Sequence, residues 1–83
     1  DATPSVTLEK VLLVRGLSVA ELFRLGGLAP SKSAARRLIE QGGAYLNDQR
    51  VTSCEAVIRE TDATEGVLLL RQGKKNYRRI VLK

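Results

Sequence analysis

Residues 28–51, LAPSKSAARRLIEQGGAYLNDQRV, decide the reading of this 83-residue chain. Ser31 follows Pro30 at a position suited to an N-cap, because its hydroxyl can accept from a backbone N–H that the first helical turn leaves unpaired. Ala35, Leu38 and Ile39 then fall at i, i+3 and i+4, the spacing that gathers apolar side chains on one stripe of a helix. Lys32 and Arg36 lie four apart on another face, with Arg37 alongside. Gly42 comes just after the last periodic residue, where a left-handed C′ position favours glycine. Gly43 lets the chain turn into AYLNDQRV, two short alternating runs around Asn47-Asp48, which is a hairpin signal. The stretch predicts a capped helix with cations on its solvent side, a glycine stop and a hairpin.

Working outward, Ser18 and Glu21 match a capping box, with Leu17 and Leu22 at the hydrophobic-staple positions. They predict a helix over 19–25, ended by Gly26-Gly27, whose Leu22 and Leu25 bury against Leu38 and Ile39. The short link through Leu28, Ala29 and Pro30 implies two helices packed at a steep angle. Further upstream, VTLEKVLLV at 6–14 is expected to be extended, although so short an apolar run fits a helix by period alone. Residues 1–17 are therefore set apart as a leader of open conformation, and 18–83 as the domain proper. Downstream, 52–60 is weakly patterned, with Ala56, Val57 and Ile58 packing under a loop, and 60–66 is an acidic turn region. Residues 67–70 form an apolar strand, 72–75 a turn, and NYRRIVL at 76–82 a returning strand with no cleanly apolar face. The expected fold class is a small α+β domain, two packed helices against a twisted, mostly antiparallel sheet.

Eighty-three residues make one small domain, and 43% hydrophobic content marks a globular chain. Net charge is +5 with a pI near 9.9, which favours a polyanionic partner. The charge is segregated: residues 1–30 carry three cations and three anions, whereas 71–83 carry six cations and no acid. Cys54 is the single cysteine and histidine is absent, so neither an internal disulfide nor a His/Cys metal cage can be built. No apolar run is long enough to span a bilayer, and a reducing, cytosol-like compartment is the expected location.

The helix cations taken alone read as a solvated face, with Arg36 and Glu40 as an i, i+4 pair. The second cluster, Arg71, Lys74, Lys75, Arg78 and Arg79, changes that balance. Two basic patches kept apart from the acids form the footprint of phosphate-backbone binding, whereas solubilising lysines would be interspersed with glutamates. Ser31 and the amides of the following turn can also receive a phosphate, a role compatible with plain capping. Tyr45 and Tyr77 offer stacking surfaces for unpaired bases, a weaker reading than core packing. Catalysis is not indicated: there is no P-loop, no GxGxxG and no His-containing triad, and neighbouring Ser31 and Lys32 point apart on a helix.

The stretch from Pro30 resembles the RNA-binding module named after the fourth small-subunit ribosomal protein, the alpha-L motif. Pro30, Ser31, Lys32, Ala35, Arg36, Ile39, Gly42 and Asn47 match its pattern, while Leu46 replaces a valine and Asp48 stands where glycine is usual. The tail, Arg71-Gln72-Gly73-Lys74-Lys75-Asn76-Tyr77 before an apolar last strand, is similar to the end of bacterial-type tyrosyl-tRNA synthetases, with Gln72 in place of a frequent arginine. The likeness runs from about Val19 to Lys83, and 1–17 match it poorly.

The resemblance implies an appended tRNA-binding domain, not an enzyme by itself, that grips the long variable arm and anticodon stem of tyrosine tRNA. Its other expected partners are the catalytic and helical domains of the same parent chain, with no membrane and no DNA. ATP and tyrosine would belong to that parent, leaving no cofactor, metal or catalytic residue in this segment. The expected RNA-binding residues are Ser31, Lys32, Arg36, Arg37, Asn47, Arg50, Lys74 and Lys75. Rival readings are the RNA-binding module of a pseudouridine synthase or ribosome-associated protein, which the GKKNY ending disfavours, and a module that docks on protein.

Overall fold

The computed structural model describes residues 4–74 and 76–83. Strand β1 (Ser5–Leu8) leads into a one-turn helix, α1 (Val11–Val14), and a short strand, β2 (Leu17–Ser18). Two helices follow, α2 (Val19–Leu25) and α3 (Lys32–Glu40), then the hairpin strands β3 (Ala44–Leu46) and β4 (Gln49–Arg50). Strand β5 (Val57–Ile58), a 3-10 turn (Glu60–Asp62), and the long hairpin of β6 (Val67–Gln72) and β7 (Asn76–Leu82) complete the chain. A five-stranded sheet has the order β1-β7-β6-β3-β4, antiparallel except where β1 meets β7, and β2 pairs with β5 in a small second sheet. The α+β class expected from the residues is the one observed.

Local chemistry sets both main helices. The Ser18 hydroxyl accepts from Glu21 N at 3.2 Å and the Ser31 hydroxyl from Ala34 N at 3.1 Å, so each cap does what its sequence position predicts. Glu21 turns to Arg24 instead of completing a capping box, forming an ion pair on the outer face of α2. Helix α3 ends in a Schellman turn: Gly43 N donates to Leu38 O and Gly42 N to Ile39 O, with Gly42 left-handed at φ +78°. That geometry satisfies two terminal carbonyls and turns the chain into β3.

The core lies between these helices and one face of the sheet. Even-numbered residues of β6 and β7, Leu68, Leu70, Ile80 and Leu82, are buried, and they meet Leu13, Val19, Leu22 and Phe23. Gly26 packs so closely over Leu70 and Ile80 that a Cβ there would come 3.0 Å and 3.2 Å from their Cδ1 atoms. On α3 the buried residues are Ala35 and Ile39, while Leu38 is only half-buried, less than its spacing predicts.

The N-terminal stretch departs from expectation. Instead of one extended run over 6–14, the chain forms β1, turns at Glu9-Lys10 and makes α1, with Leu13 fully buried. Val6 and Leu8 pack against the core. The segment is integral to the sheet: Arg79 N donates to Pro4 O, Lys10 N to Lys83 O, and Lys83 N to Leu8 O. Val57, expected to pack, is exposed together with Val11, Leu12 and Val14, and Ile58 is the buried partner in β5.

Removing the largest fully buried side chain by Phe23→Ala leaves a cavity between α2 and the sheet, at an expected cost of about 3–5 kcal/mol in urea unfolding. A pH effect also follows from the α2 ion pair. The hydrogen bond from Arg24, with its charge, holds the Glu21 carboxyl below the usual carboxylate range. A depressed folded pKa gives stability that is present above the ordinary value and lost as pH falls through the lowered one. Carboxyl NMR titration of Arg24→Gln should show Glu21 moving up toward the ordinary range, with the charge of Lys32 still lowering it.

Candidate nucleic-acid interface

The cations of α3 are exposed. Lys32 and Arg36 share one flank and Arg37 sits about 100° round the axis. The expected Arg36–Glu40 pair does not form: among the described residues the ion pair present is Arg24–Glu21. All three α3 cations therefore face solvent without a carboxylate partner.

The end of α3 gathers two more expected residues. Arg50, on β4, lies over the Schellman turn, with its Nη1 3.7 Å from the point where a Gly42 Cβ would stand. A cation suits the carbonyl-rich end of a helix. The β6–β7 turn reaches the same place, because Gly73 N donates to Gly43 O at 2.7 Å. Lys74 follows at once, exposed on that turn. Lys75 lies outside the described residues. Gly42-Gly43 is thus the junction at which the end of α3, Arg50 and the Lys74 turn meet, while Lys32 sits at the opposite end of the helix.

Ser31 is exposed and its hydroxyl is occupied by the cap. Asn47 is committed to the fold more completely. With Asp48 it forms a turn in which both central residues are left-handed, φ 51° and 68°, as the Asn-Asp pair predicts. Its Nδ2 donates to Asp62 O at 2.9 Å, its Oδ1 accepts from Leu69 N at 3.0 Å, and its own N–H donates to Leu69 O at 2.8 Å. One side chain bridges the 3-10 turn and β6.

The opposite sheet face carries a cross-strand row, Tyr45, Arg71 and Tyr77, in register on β3, β6 and β7. The Arg71 guanidinium stacks 3.9 Å from the Tyr45 ring centroid and 5.9 Å from that of Tyr77. Both tyrosines thus flank a cation. Arg78, part of the second basic cluster in the sequence but not singled out there, occupies a cleft at the edge of the core; the alternation of β7 with Ile80 and Leu82 is the signal that would have placed it on the helix side. No group of three or more His, Cys, Asp or Glu side chains that could hold a metal occurs among the described residues. None of the described helices is long and apolar enough to cross a membrane.

The described residues form a small α+β domain whose α3 cations are exposed and without ion-pair partners among them. The chain belongs to the family of tyrosine--tRNA ligase SYY-like C-terminal domains, whose model it matches over residues 1–80. The match begins well before Val19, consistent with the place of β1 in the sheet. The chain is 43% identical over 82 residues to the tyrosine--tRNA ligase of Desulfatibacillum aliphaticivorans, covering 99% of this chain and 19% of that protein. It is 40% identical over 82 residues to that of Treponema denticola, covering 98% and 20%. With the ligase of Thermobifida fusca it shares 50% identity over 66 residues, covering 78% and 15%. The chain spans about a fifth of the length of the first two relatives.

Truncating the bridge by Asn47→Ala leaves Asp62 O and Leu69 N without their partners. The expected cost is about 1 kcal/mol, read as a lowered urea midpoint.

Proposed function

We propose that this chain is the tRNA-gripping end of a tyrosine--tRNA ligase and binds phosphates of the long variable arm and anticodon stem of tyrosine tRNA. Lys32, Arg36 and Arg37 line one side of the contact surface, Lys74 the other, and Arg50 contributes from β4. Lys75 joins them on the strength of the sequence alone. Ser31 supports the start of α3 and offers its amides to a phosphate; Asn47 holds the hairpin that presents Arg50. The observation that supports this reading is the hydrogen bond between Gly73 and Gly43, which brings the turn bearing Lys74 to the end of the helix bearing Arg36 and Arg37. Contacts of this kind orient a fold on RNA and leave its bases unread.

Aminoacylation, with its ATP and tyrosine, is assigned to the rest of the ligase, the catalytic and helical domains. No catalytic, cofactor-binding or metal-binding residue is assigned to this chain.

Fluorescence anisotropy with tyrosine tRNA tests the proposal. Arg36→Glu and Lys74→Glu should each weaken binding about ten- to a hundredfold, the equivalent of one or two charge-assisted hydrogen bonds, with unchanged circular dichroism. The log–log salt slope should become shallower by about 0.7–0.9 for each phosphate that is no longer neutralised. Unchanged affinity in both variants removes the proposal. A flat salt dependence with tRNA, beside tight binding to protein, replaces it with docking.

A further inference from the structure

Strand β7 places Arg78 on the same side as Ile80 and Leu82, but beyond the end of the buried core. The guanidinium lies against the bare backbone of Gly27, where a Cβ would stand 3.8 Å from Nη2 and 3.9 Å from Nε. Gly27 is left-handed at φ +82°, so glycine is favoured there and the space stays open. The Arg78 Nε is shielded from solvent, yet it reaches no acceptor among the described residues. The two Nη groups are not shielded in this way, so the guanidinium keeps solvent-facing donors at the cleft.

The surrounding cleft has a volume of about 320 Å³ and is lined by Pro4, Gly27, Leu28, Gln72, Asn76 and Arg78, among others. Among the described residues its lining is free of carboxylates, which makes the cleft favourable to an anion. Gln72 and Asn76 face each other at the base of the β6–β7 turn, and on the other side the wall leads through Pro30 into Ser31 and Lys32. One wall is thus part of the second basic segment, and Leu28 on the other precedes the start of α3 by a few residues.

We propose that Arg78 receives one phosphodiester of the bound RNA, with the Gln72 and Asn76 amides available to the adjoining ribose. This rests on the RNA-binding reading above and adds to it a residue at the bottom of the contact surface. A guanidinium suits the task because its two Nη groups, which solvent can reach, match two phosphate oxygens at once.

The test uses the 83-residue chain with a hairpin of the tyrosine tRNA variable arm and, separately, inorganic phosphate as probes. Arg78→Met should weaken RNA binding about tenfold and make the salt slope shallower by about 0.7–0.9. Arg78→Lys should keep the slope and lose affinity a few-fold, since an ammonium has no fork. In the unsubstituted chain the Arg78 Nε–Hε NMR signal should move when RNA is added, a readout that needs no variant to fold. A stationary signal at saturating RNA, while Lys74→Glu still weakens binding, overturns the Arg78 proposal and leaves the wider reading in place. No binding of RNA by the unsubstituted chain overturns both. An equal shift at equal concentrations of inorganic phosphate makes the cleft a free-anion site and overturns the nucleotide assignment.

Discussion

The carbonyl of Gly43 is the point at which three segments of the chain are held in one geometry. The Schellman turn through Gly42 and Gly43 directs α3 into β3, and Gly73 N–H meets that carbonyl at 2.7 Å. The β6–β7 hairpin is thereby fixed at the end of the helix. If the helix ran one residue further, β3 would shift in register and turn its side chains to the opposite face. Tyr45 would leave its row beside Arg71, and Ala44 would lose its place in the core.

From this junction the charge distribution becomes intelligible. β3 starts beside Gly42-Gly43, where Arg50 and the Lys74 turn gather, and ends at Asn47, whose amide binds Asp62 O in the acidic 55–65 stretch. The short hairpin separates a basic end from an acidic one. Surface ion pairs are worth little, so leaving cations unpaired costs the domain little stability while keeping them available. Among the described residues the pair that forms, Arg24–Glu21, lies on α2.

Features governed by neighbours in sequence are legible without the structure. The Ser18 and Ser31 caps, the Gly42 stop, the Asn47-Asp48 turn and the long C-terminal hairpin each depend on a few adjacent residues. What the sequence hides depends on distant ones. Nothing local to Ser5–Leu8 announces that its partner is β7, across most of the chain. The pattern of NYRRIVL looks two-sided because Arg78 shares a face with Ile80 and Leu82, and only the position of Gly27 shows why a cation can stand there. Asn47, expected among the RNA-binding residues, also holds the fold, and its partners there, Asp62 and Leu69, lie 15 and 22 residues away. The separation of cations from acids is visible in composition; the meeting of Arg50 with the Lys74 turn is not, because it is made by backbone pairing.

The parallel union of β1 with β7 has a mechanical corollary. Because the strands run the same way and hold the first and last parts of the fold, tension applied through the two ends of the chain loads their rungs sideways and together. Antiparallel terminal strands pulled from one side would open like a zipper, one bond at a time. Pairing the first and last strands of the described sheet in parallel therefore lets the fold resist extension in shear.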